Sequence, residues 1–183
     1  MITLSKILIL LGALLAVFLQ GTLLNMRPLL GAQIDLLPAL MVYTALTCGP
    51  LMMVALAGAG GLLFDTLSAN PPGVSVLPLL LIGALLQPRR DLLLRDQVYA
   101  QFVLGLTASA AAPLCAVLLL LTLDQSPLLG WGSLWQWAVV SVAGGGAAPM
   151  FFALFGRLNQ ALGYRPVTES SFRADREIRR GRN

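Results

Sequence analysis

Residues 35–65 read DLLPALMVYTALTCGPLMMVALAGAGGLLFD, and how this stretch divides decides the fold. Asp35 and Asp65 bound 29 uncharged residues. A charge is costly at the centre of a bilayer, so charges mark the ends of spans. One span takes about 20 apolar residues, so this run is too long for one ordinary span and short for two. Thr47-Cys48-Gly49-Pro50 supplies the break. Glycine suits the residue after a helix and proline the first turn of the next. The run therefore predicts a short helix over about 34–47 and a longer one over about 50–67. Read instead as one long helix, it would give five spans and put Arg89-Arg90 outside, which the charge distribution argues against.

Working outward, the 183-residue chain is 57% hydrophobic and only 11% charged. Soluble domains carry about 25% charged residues, so this one lacks the polar surface to cover a water-facing globule. Towards the N-terminus, Lys6 and Arg27 enclose 20 uncharged residues. That suits one span over about 7–24, and the absence of an Ala-x-Ala pattern at its end favours a retained helix over a cleaved signal peptide. Towards the C-terminus, Ser68-Ala69-Asn70-Pro71-Pro72-Gly73 is a turn. A fourth helix over about 74–87 stops at Pro88-Arg89-Arg90. A fifth over about 98–123 has Pro113 in its middle, where a kink is expected. The sixth runs over about 134–162, with Trp131, Trp135 and Trp137 at its start, where amphipathic rings favour the membrane boundary. The fold class is thus an all-α membrane protein, a compact bundle of about six transmembrane helices over 1–163, with a basic tail over 164–183.

Orientation follows from lysine and arginine. With the N-terminus inside, 11 of the 12 basic residues fall on the cytoplasmic side, and only Arg27 lies outside, with Asp35, Asp65 and Asp124. Both termini are then cytoplasmic. Arg89 and Arg90 read as a topology-fixing loop or a contact site for a partner. The tail sets six arginines, among them Arg176, Arg179 and Arg180, against Glu169, Asp175 and Glu177. Anionic lipid or a protein partner fits it; with one aromatic and no recognisable module, nucleic acid does not.

Few residues could carry chemistry. The chain has no histidine, which removes the commonest general base and metal ligand. Cys48 and Cys115 sit in apolar runs and read as small buried hydrophobes. Gly58-Ala59-Gly60-Gly61 and Gly144-Gly145-Gly146 lack the strand and Lys-Ser/Thr context of a phosphate loop. Small residues spaced by four (Ala57 with Gly61; Ala108, Ala112, Ala116; Gly144 with Ala148) predict close helix packing, with a dedicated partner face as the alternative. Ser109 and Ser141 read as hydroxyls bonded to a carbonyl one turn back. Asp65 is the most informative residue. A carboxylate near a helix C-terminus opposes the dipole, so it either accepts hydrogen bonds from the Asn70–Gly73 turn or faces an external partner. Arg27, Asp35 and Asp65 are placed to gather on the outer side. No cofactor, no metal and no enzymatic activity are expected.

Two stretches together resemble the bacterial rod shape-determining MreD family. One is Asp35-Leu36-Leu37-Pro38-Ala39-Leu40-Met41-Val42-Tyr43. The other is Gly60-Gly61-Leu62-Leu63-Phe64-Asp65-Thr66-Leu67-Ser68 followed by Pro72-Gly73-Val74. The likeness covers about 35–86 and carries over to Asp35, Gly61, Asp65, Pro72 and Gly73. It departs at Cys48-Gly49-Pro50, which lacks the expected basic residues. The resemblance implies a non-enzymatic component of the cell-elongation machinery in the bacterial inner membrane. Its implied partners are MreC, the actin homologue MreB, the glycosyltransferase RodA and a penicillin-binding transpeptidase. It also implies a fold similar to the substrate-binding membrane components of energy-coupling-factor vitamin transporters. A substrate-binding transporter subunit is the alternative function, with Arg27, Asp35, Asp65, Asn70 and Trp131 as candidate cavity residues.

Overall fold

The computed structural model describes residues 2–22, 34–68, 71–90, 97–124 and 130–161. Among these the chain forms α1 (Ile2–Thr22), α2 (Leu37–Thr47), α3 (Pro50–Ser68), α4 (Val76–Leu86), α5 (Val98–Thr122) and α6 (Trp131–Ala161). A 3-10 turn, Gln87–Arg89, extends α4, and no strand occurs among the described residues. The division at Gly49-Pro50 is where the sequence placed it. The Cys48 N–H closes α2 on the Thr44 carbonyl at 2.9 Å, Cys48 itself is extended, and Pro50 opens α3.

The six described helices are unequal, and three of them reach the length of a membrane span. α3, α5 and α6 are long and apolar enough to cross a membrane. The described apolar part of α1, Ile7–Gly21, is shorter. α2 and α4 have 11 residues each, which at 1.5 Å per residue rise about 16 Å, roughly half a hydrocarbon core. The shortness of α2 is tolerated because it does not meet lipid. Every residue from Leu37 to Leu46 is buried, and α2 packs against all five other described helices. A helix apolar all round is a core element, and α2 is the axis of this bundle. The outer helices are apolar on their outward faces as well: Leu51, Leu114, Leu118, Val142 and Met150 are each more than half exposed. Such a surface is consistent with a lipid solvent.

Small side chains set the closest approaches. A Cβ on Gly105 of α5 would lie 2.6 Å from the Gly144 carbonyl oxygen of α6, and one on Gly144 would strike Ser109 Oγ. A Cβ on Gly61 of α3 would lie 2.9 Å from the Val76 backbone at the start of α4. Ala57, Gly61, Ala108, Ala112, Gly144 and Ala148 are all buried, so these predicted positions are interior contacts. Both glycine-rich stretches lie inside helices, as their missing loop context required. Tyr43 of α2 stacks on Phe155 at 4.8 Å between ring centroids and meets Phe152 edge-on at 5.0 Å.

Two expectations change in detail. Ser141 Oγ does donate to the Trp137 carbonyl at 2.7 Å, but Ser109 Oγ has no partner among the described residues. The tight α5–α6 crossing turns that hydroxyl onto Gly144, away from its own preceding turn. Cys48 and Cys115 are half-buried rather than buried, and neither is in a disulfide. α5 runs unbroken through Pro113. Proline lacks an N–H and crowds the carbonyls of the turn before it. One of these, Ala110, accepts the Trp137 indole N–H at 2.9 Å.

Candidate functional site

Successive helices alternate in direction, so the starts of α2, α4 and α6 meet the ends of α3 and α5 at one end of the bundle. Two of the buried polar residues, Gln20 and Asp65, and the half-buried Asp35 lie there. Asp65, 1% exposed, sits one turn before the end of α3. Its Oδ2 accepts the Gly73 N–H at 2.7 Å, and the Ser75 N–H lies 3.1 Å from Oδ1 and 3.3 Å from Oδ2. Ser75 is the N-cap of α4 and makes no side-chain cap bond of its own. Asp65 therefore caps α4 from the preceding helix. It holds the N–H of the N-cap residue itself, whereas a local N-cap side chain bonds N2 or N3; here the Leu77 N–H is taken by the Gly73 carbonyl at 3.3 Å. Gly73, at φ +100°, gives the turn a conformation that disfavours any side chain. Of the two sequence readings of Asp65, the turn-bonding one is what the geometry contains.

Asp35 plays a related part ahead of α2. Its Oδ1 accepts the Leu37 N–H at 3.0 Å and the Gln20 side-chain Nε2–H of α1 at 3.3 Å. Gln20 is 1% exposed, and its Oε1 has no partner among the described residues. Asp35 also borders a cavity of about 310 Å³ between α2, α3, α4, α5 and α6. Ser68, Ser75 and Gln136 supply its other polar wall groups, and Phe64, Pro78 and Val140 are among its apolar ones. Ala116, from the predicted row on α5, also lines it.

The predicted site residues thus separate. Asp35 lines the cavity; Gly61, Asp65 and Gly73 build the α3–α4 junction beside it; Pro72 is exposed in the connecting turn. Trp131 is 86% exposed and does not line the cavity. Arg89 and Arg90 are exposed at the other end, after α4. Arg27, Asn70, Arg176, Arg179 and Arg180 lie outside the described residues. Among the described residues no group of three or more His, Cys, Asp or Glu is placed to hold a metal ion. Sequence reasoning missed Gln20, Ser75 and Gln136. Gln20 carried a signal, being an amide inside an apolar run, where an unpaired polar group is costly.

Comparison with protein-family models, curated proteins and solved structures finds no match. The site's chemistry therefore rests on its own residues: carboxylates that organise two short-helix N-termini, beside a small half-polar cavity.

Proposed function

We propose that this chain is a non-enzymatic, MreD-like component of the bacterial cell-elongation complex, which binds MreC and supports localisation or activation of peptidoglycan synthesis. The observation that supports this best is the α3–turn–α4 junction. The residues that carry the resemblance, Gly61, Asp65 and Gly73, act there as one packed unit, with Pro72 in the same turn. In this reading the protein lies in the inner membrane with both termini cytoplasmic, and the cavity end faces outward. Arg89, Arg90 and the tail then lie on the side of anionic lipid and MreB, and the lipid-facing helices are open to MreC, RodA and the penicillin-binding transpeptidase. Gentle detergent extraction from the native membrane, followed by mass spectrometry of what co-purifies, tests it. MreC or the elongation synthases should be recovered. Recovery of paired ATPase subunits instead would overturn it.

A second reading, the substrate-binding membrane subunit of a vitamin-type transporter, is favoured by one observation, the cavity beside Asp35. Of the five residues proposed for such a cavity, Asp35 alone among those described lines it.

A further inference from the structure

We propose that the cavity binds an ammonium group carried on a small apolar body. Three features of the wall select that chemistry. The charge balance comes first. Asp35 is the one charged residue that lines the cavity among the described residues, and the N-terminus of α2 offsets only about half of a carboxylate's charge. No cationic side chain lines the cavity among the described residues. In a poorly solvated interior that imbalance attracts a cation and repels a second anion.

Hydrogen-bonding capacity points the same way. Asp65 is engaged by the N–H groups of Gly73 and Ser75, whereas the described partners of Asp35, Leu37 N–H and Gln20 Nε2, both reach Oδ1. Asp35 Oδ2 thus has no donor among the described residues, and an ammonium is a donor alone. The apolar wall completes the fit. The Phe64 ring suits a cation in van der Waals contact, and Leu37, Pro38, Leu79 and Val140 suit hydrocarbon.

The ammonium has two natural sources, the headgroup of an ethanolamine phospholipid and a free amine. Both are tested with the full chain in nanodiscs. Cyclohexylammonium, cyclohexanol and cyclohexanecarboxylate are titrated calorimetrically into phosphatidylglycerol discs. In parallel, native mass spectrometry compares retention of phosphatidylethanolamine and phosphatidylglycerol after mixed-lipid reconstitution. Asp35→Asn keeps an oxygen for the Leu37 N–H but removes the charge, and Ala116→Phe fills the cavity without touching Asp35. Cyclohexylammonium should bind at least tenfold more tightly than its neutral and anionic counterparts, and both variants should lose that preference. Selective phosphatidylethanolamine retention, lost in Asp35→Asn, supports the same site with a lipid occupant. Equal binding of the three probes, unchanged preference in Asp35→Asn, or neither ligand held would overturn the proposal, whether or not MreC co-purifies.

Discussion

A carboxylate one turn from the C-terminus of a helix stands at the wrong pole of that helix, yet Asp65 is buried there. The positive pole of α4 offsets this, because the carboxylate receives the N–H groups of Gly73 and Ser75. Changing Asp65 to Ala leaves those half-buried donors unpaired, a loss of about 1–3 kcal/mol. Thermal unfolding of the purified variant should show the drop, and Asp65→Asn, which keeps one good acceptor, should fall between the two. An unchanged midpoint for Asp65→Ala would mean that the cap adds no stability. A consequence for function follows. Loss of a partner by Asp65→Ala cannot by itself be read as loss of a contact, since the junction that presents the surface changes with it.

Among the elements, α5 and α6 form the most extensive pairing, and it depends on what is absent from their facing sides. Gly144→Ala would place a methyl group against Ser109 Oγ, whereas Gly146→Ala meets nothing within 4 Å. Overpacking of this kind costs about 1–3 kcal/mol. The first variant should unfold at a markedly lower temperature, and the second should be unchanged or slightly more stable through better helix propensity. Pairing Gly144→Ala with Ser109→Gly should restore most of the loss. A failure of that rescue would place the defect elsewhere in α6. Spacing by four identified Ala108, Ala112, Gly144 and Ala148 on the sequence, but not that Gly105 and Ser109 are the residues directly opposed to Gly144.

For the whole molecule, the two ends of the bundle differ in charge: carboxylates and the cavity at one, Arg89 and Arg90 at the other. The orientation proposed above makes these opposite sides of the membrane. With Cys48 and Cys115 replaced by Ala, Pro72→Cys should react with a membrane-impermeant maleimide added to intact spheroplasts. Arg90→Cys should react only after the membrane is opened. Labelling of both from one side would break the six-helix topology.

The sequence by itself determined the apolar, all-helical class, the six helices found among the described residues and the break at Gly49-Pro50, because charges, glycines and prolines act locally and apolar residues fill the stretches between them. That same uniform apolarity hid the rest. When lipid-facing and interior surfaces are both hydrophobic, no periodic stripe marks the inside. The sequence marked α2 as short but did not show that it is buried on all sides. Nor did it identify Asp65 as the remote cap of α4, or bring Gln20, Asp35, Ser75 and Gln136 to one end of the bundle. Those relations join residues on different helices, and only the packing of one helix on another decides them.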